Sequence, residues 1–302
     1  MSTEPKLDIY SRVTNKILAD LEQGVRPWVK PWSSGHAAGR IGRPLRHTGQ
    51  PYQGVNILLL WGSTVENGFS APFWMTFKQA HELGAHVRKG EKGSLVVYAN
   101  SITKTEKNEE TGEESERDIP FLKGYTVFNV EQIEDLPAHY YAKPSRPEAP
   151  ETDRNESLDR FFRNTRADIR HGGDRAFYST VADYVKMPPF PAFRDPESYY
   201  ATLAHEMTHW TSHENRLDRD LVSRGGYAKE ELVAELGAAF LCADLGITPE
   251  VREDHASYIK HWLKVLKDDK RFIFRAAAYA QHAVDHLQRY QQTQEEAGEQ
   301  AA

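Results

Sequence analysis

One cysteine, Cys242, is too few for a disulfide within the chain, which fits a reducing compartment. Apolar runs are short. Ile57 to Trp61 stops after five residues, far below the roughly 20 that a helix needs to cross a bilayer. The opening Met1-Ser2-Thr3-Glu4-Pro5 lacks the charged-then-apolar order of a signal peptide. A cytoplasmic protein with no membrane partner is therefore expected. No repeat is visible, and neither helix-turn-helix nor zinc-finger spacing is present, which argues against readout of duplex DNA. Cys242 lies in an apolar stretch and reads as a small core residue rather than a nucleophile.

Charge is plentiful but unevenly spread. The net charge of the 302 residues is -6, yet residues 1–100 carry 12 Lys and Arg against 7 Asp and Glu. The remaining 202 carry 26 against 37, so a basic first part precedes an acidic second part and the two are expected to do different work.

The most informative run is His205-Glu206-Met207-Thr208-His209. Asp195 followed by Pro196 announces a helix start, and Tyr199, Leu203 and Met207 supply an apolar stripe at helical spacing. On such a helix residues i and i+4 share a face, so both imidazoles can bind one Zn²⁺. Glu206 points beside the metal, where it can take a proton from activated water and pass it to a leaving amine. A catalytic zinc usually has three protein ligands and an open position. The third is sought in Glu230-Glu231-Leu232-Val233-Ala234-Glu235, which opens a strongly apolar helix. Glu231 and Glu235 share a face there and need partners, because an unpaired buried charge is costly. We assign Glu231 to the metal and Glu235 to the other nitrogen of a ligating histidine. Glu230 falls off that face and is expected in solvent. His213, one further turn along, competes for a metal or substrate role. A set of two histidines and a glutamate also suits Mn²⁺ or Co²⁺.

Four of six tryptophans, Trp28, Trp32, Trp61 and Trp74, fall in the basic first hundred residues. Rings interleaved with cations suit unpaired nucleic acid, since bases stack on the faces while cations follow phosphates. Trp28, Trp32 and Trp74 are candidate platforms; Trp61 and Phe77 are assigned to the core. Arg43, Arg46 and the glycine-flanked turn with Arg88, Lys89 and Lys92 are candidate phosphate contacts. A solvated charged face and a buried aromatic core are the plain alternatives.

Residues 7–21 read as an amphipathic helix. The charged stretch 104–118 is expected to be a mobile loop between two strands. A Pro-, Glu- and Arg-rich composition marks 138–157 as a linker and 292–302 as a disordered tail, leaving domains at 1–137 and 158–291.

Long motifs carry a family resemblance. Tyr52-Gln53-Gly54-Val55-Asn56 through Trp61, then Thr76-Phe77-Lys78-Gln79-Ala80 and Val87-Arg88-Lys89-Gly90-Glu91-Lys92-Gly93, resemble the N-terminal domain of ArdC antirestriction proteins, shared with TraC-type plasmid primases. His205 to Thr211, Arg216-Leu217-Asp218-Arg219 and Tyr227 to Glu235 are similar to the zincin-like peptidase half of the same family. Ser212 departs from the glycine that relatives often have. The resemblance implies an α+β protein in which a small single-stranded-DNA-binding domain precedes a mainly helical zincin-like metallopeptidase domain. It implies a bacterial protein that binds single strands non-specifically and protects an incoming plasmid from restriction. His205, His209 and Glu231 would be metal ligands and Glu206 the catalytic glutamate. Tyr227 or His213 is a candidate to steady the oxyanion. The host restriction enzyme or another protein would be the substrate. A non-enzymatic alternative remains: a DNA-coating or restriction-enzyme-masking protein with a structural or vestigial metal site. The acidic second half suits masking, because a DNA-cutting enzyme presents a basic cleft.

Overall fold

The computed structural model describes residues 8–23, 26, 28, 42–107, 114–141, 154–219, 226–247 and 256–299. The first half is α+β. Helix α1 (Ile9–Glu22) starts at Asp8, whose carboxylate accepts from the Ser11 amide. Helix α2 (Val55–Asn67) ends at Gly68, which adopts the left-handed conformation that glycine tolerates without strain. Strands β1 (Leu45–Arg46), β2 (Phe73–Met75), β4 (Ser94–Lys107) and β5 (Glu114–Asn129) form a sheet in the order β1-β2-β5-β4. Helix α3 (Phe77–Glu82) is held by a capping box between Thr76 and Gln79. Strands β3 (His86–Val87) and β6 (Ile133–Glu134) pair separately.

The second half opens with α4 (Glu156–Asn164) and a three-stranded sheet of β7 (Ile169–His171), β8 (Phe177–Ser179) and β9 (Tyr184–Met187). Four long helices follow: α5 (Pro196–Trp210), α6 (Gly226–Leu245), α7 (Ala256–Asp268) and α8 (Phe272–Glu299). The expected class, an α+β half followed by a helical half, is what forms. Among the described residues no helix is long and apolar enough to cross a membrane.

The two halves share one core. Val13, Ile17, Trp28, Ile57 and Trp61 belong to the same buried cluster as Phe240, Trp262, Leu266 and Ile273. The ring of Trp61 meets Phe240 edge-on at 5.9 Å, and Trp28 meets Trp262 at 6.3 Å. Thr14 donates to the Lys270 carbonyl at 2.7 Å, fastening α1 to the far end of the chain.

Several expectations are corrected. The segment 104–118 is not simply a loop. The β4–β5 ladder runs out to Lys107↔Glu114, because alternating Thr, Ile and Ser positions satisfy a strand as well as charge permits. Residues 108–113 lie outside the described residues, as do 142–153 of the expected linker. The linker's start is ordered: Ala138–Tyr141 is a 3-10 turn with Tyr140 buried. The expected tail is helical to Glu299, since Gln, Glu and Ala there are good helix formers and the one glycine, Gly298, falls in its last turn.

Because the core is continuous, both halves are expected to unfold together. Phe240→Ala should cost about 3–5 kcal/mol and leave one transition, with tryptophan fluorescence and far-UV dichroism coinciding in urea. Two separated transitions would contradict the shared core.

Candidate metal centre

Local chemistry starts α5 as expected: Asp195 accepts from the Ser198 amide at 2.7 Å and Pro196 occupies the first turn. The helix carries His205 and His209 on one face, their ring centroids 4.8 Å apart. Helix α6 lies against it and brings Glu231 between them. One Glu231 oxygen is 3.6 Å from His205 Nε2 and the other 3.5 Å from His209 Nε2. The three ligand atoms lie within 4.8 Å of one another. Ligands held at zinc distance around a tetrahedral ion stand about 3.4 Å apart, so the set fits a small divalent cation.

That closeness depends on Gly237. A Cβ placed there would lie 2.5 Å from Thr208 Cγ2 and 2.8 Å from its Oγ1. Thr208 is fully buried and donates to the Ala204 carbonyl at 2.8 Å, so it cannot swing aside freely.

One residue behind the ligands departs from expectation. Glu230, expected in solvent, is buried with an oxygen 3.5 Å from His209 Nδ1. Arg219 holds it there, donating to both Glu230 oxygens at 2.6 and 3.1 Å, to Thr211 Oγ1 at 2.7 Å and to the Thr208 carbonyl at 2.7 Å. The physical reason is that α6 is buried on every side, so position around the helix does not decide exposure. Glu235 faces His205 Nδ1 at 3.9 Å, longer than a hydrogen bond, and lies 3.6 Å from Arg26 of the first half. Arg219 carries no signal of its own in the sequence beyond its place in the Arg216–Arg219 motif.

Electrostatics agree with a cation site. Glu206, Glu230, Glu231 and Glu235 are all buried. Against them stand Arg219 and Arg26, which leaves two negative charges in surplus when both imidazoles are neutral. Burial pulls the pKa of His209 down, but Glu230, Glu231 and Glu206 outweigh it and raise it from 6.5 to about 10. Burial pushes Glu231 up, yet the two histidines hold it well below the usual carboxylate range. Glu230 is likewise held low, its desolvation offset by His209 and Arg219. Cys242 is buried, and its thiol is pushed up by desolvation.

His213 lies beyond the end of α5, where its Nδ1 accepts from the Asn215 amide, and it is outside the cluster. Tyr227 is 67% exposed and one turn ahead of Glu231 on α6.

The expected DNA contacts scatter. Trp28 and Trp74 are 0% and 1% exposed, so neither offers a face to a base; burying large rings outweighs displaying them in a half with a small core. Trp32 lies outside the described residues. Phe77, assigned to the core, is 58% exposed. Arg43 is buried and crosses to the second half, donating to Asp244 at 2.8 Å and to Gln281 at 2.6 Å. Arg88, Lys89 and Lys92 are exposed on the turn after β3, with Arg88 pinned to Glu91 at 2.7 Å. Arg46 is exposed, its guanidinium 5.5 Å from the Tyr52 ring centroid.

A histidine pair and a glutamate on two crossing helices, behind an α+β half, define the class: a zincin-like fold with an added N-terminal domain. Residues 156–279 match the zincin-like metallopeptidase family, and residues 7–128 match the N-terminal domain of anti-restriction factor ArdC. The chain superposes on the crystal structure of the metal-free antirestriction protein ArdC from plasmid R388 with a TM-score of 0.83 and 46% identity, over 94% of this chain and 98% of that one. For the Mn(II)-bound form the TM-score is 0.79, with 44% identity over the same shares. This chain belongs to the ArdC antirestriction family. An uncharacterized protein, y4eC, of Sinorhizobium fredii (strain NBRC 101917 / NGR234) is 42% identical over 93% of this chain and 91% of its own length. DNA primase TraC of Escherichia coli is 37% identical over 96% of this chain, which spans only 28% of the primase. The likeness to the primase therefore takes in both halves, not the first alone.

The contact at Gly237 gives a direct test. Gly237→Ala should destabilise the protein by about 1–3 kcal/mol despite alanine's better helix propensity, and Thr208→Ala in the same chain should recover part of the loss in a thermal melt.

Proposed function

We propose that this protein protects incoming DNA from restriction by binding single strands with its first half. Its helical half acts as a metal-dependent peptidase on a protein met at that DNA, with the host restriction enzyme as the candidate substrate. The observation that carries the peptidase reading is the convergence of His205 Nε2, His209 Nε2 and both Glu231 oxygens at 3.5–3.6 Å beside buried Glu206.

His205, His209 and Glu231 would hold the ion, with zinc or manganese both compatible with one carboxylate and two imidazoles. A divalent ion there supplies Lewis acidity that polarises a carbonyl and acidifies water. The work of the chain is to move the proton. The Glu206 carboxylate takes it from the attacking water and returns it to the amine nitrogen as the peptide C–N bond breaks. Glu230, clamped by Arg219, fixes the ring of His209 through Nδ1. Tyr227, at the exposed start of α6, is assigned the polar contact to the carbonyl oxygen. The acidic surplus around the ligands supports cation binding, and the Mn(II)-bound relative supports it independently.

Metal binding should be linked to pH. Without metal, His209 is protonated below about 10, and an ion requires its neutral form. Affinity should therefore tighten as pH rises through neutrality, about tenfold per unit for each proton released. Calorimetry in two buffers of different ionisation heat would count that proton; no release would contradict the protonated state.

The functional test is Glu206→Gln. Metal content and single-strand binding should persist while protection of a transferred plasmid in a restricting host falls to the level without the protein. Full protection by this variant would reduce the site to a structural part and leave the protein to act by coating DNA or masking the enzyme.

A further inference from the structure

One face of the β4–β5 hairpin is neither core nor simple solvent surface. Register places Val96 opposite Tyr125 and Tyr98 opposite Lys123, so these residues share a face with Phe121 and Val127. The base of that face is buried: Val96 and Val127 pack with Tyr52, Leu60 and Trp74. Further out the side chains emerge, with Tyr98 47% and Tyr125 40% exposed. Their ring centroids are 6.4 Å apart and the Tyr98 and Phe121 centroids 6.2 Å apart. A cavity of about 430 Å³ opens here, floored by Val96 and Val127 and walled by Tyr98, Tyr125, Tyr52 and Arg46.

The walls have the chemistry of a nucleobase site. Two exposed tyrosine rings offer stacking surface, which accepts every base. Tyr52 and Gln79 are among the lining residues and carry a hydroxyl and a side-chain amide. Arg46 lies at the rim over Tyr52, and Lys123 lies 5.2 Å from the Tyr125 centroid without lining the cavity. No Asp or Glu is among the lining residues. Aromatic walls, neutral hydrogen-bonding groups and flanking cations complement a base with a phosphate on either side.

We infer that this cavity seats an unpaired base of a single strand, stacked on Tyr98 and Tyr125, with the adjoining phosphates on Arg46 and Lys123. The inference rests on the proposal that the first half binds single strands, and it places the contact on the hairpin rather than on buried Trp28 and Trp74. Tyr98 and Tyr125 carried no such reading in the sequence, because they stand singly within strands and only pairing brings them together.

The test is fluorescence anisotropy of a labelled oligothymidylate with the full chain across a salt series. Tyr98→Ala with Tyr125→Ala should weaken binding about 5- to 150-fold with the melting temperature close to wild type. Tyr279→Ala, an exposed ring on α8, should bind as wild type. Arg46→Gln and Lys123→Gln should each reduce the slope of log affinity against log salt by about 0.7. Wild-type affinity in the folded double variant would overturn this site while leaving single-strand binding intact. No binding by the wild-type chain would overturn the broader reading as well. Displacement of the oligonucleotide by an equal concentration of mononucleotide would mark a free-nucleotide pocket and overturn the strand assignment.

Discussion

The approach of α5 and α6 is the constraint on which the candidate centre depends. How closely two helices pack is set by the side chains at their contact, with axes typically about 8–10 Å apart. Gly237 removes a Cβ at the point where Thr208 presses against α6, and the backbones close in. Glu231 then lies between His205 and His209. A glycine in the middle of a helix costs helix stability, and here that cost is offset by the packing it permits.

Closing the helices also buries charge. Four glutamates and two histidines enter an interior where an unpaired ion is far more costly than at the surface. Arg219 answers this by tying the chain after α5 to Glu230 on α6, so that Glu230 stands behind His209. Arg26 does the same for Glu235 from the first half. The remaining negative surplus is a property of the whole cluster rather than of any ligand, and a divalent ion is the natural counter-charge.

The same economy of burial explains why the halves are not free of each other. Helix α2 is apolar on nearly all sides and needs cover from both the hairpin and the helical half. Trp61 against Phe240, and Arg43 against Asp244 and Gln281, supply that cover. Trp28 and Arg43, which read as nucleic-acid contacts, are used in joining the halves. Among the rings of the hairpin, Tyr98 and Tyr125 are left facing outward.

Local chemistry made much of this legible in the chain. Asp195 and Pro196 start a helix wherever they stand, and four-residue spacing puts His205 and His209 on one face by helix geometry alone. The long matching motifs carried the family and the class of fold. Which glutamate stands behind which histidine was decided only by tertiary packing, because α6 is apolar all round and its pattern names no outward face. Packing likewise decided that Trp28 and Trp74 are core. Hydrophobic burial depends on neighbours distant in the chain, and composition records the presence of a ring but not which way it turns.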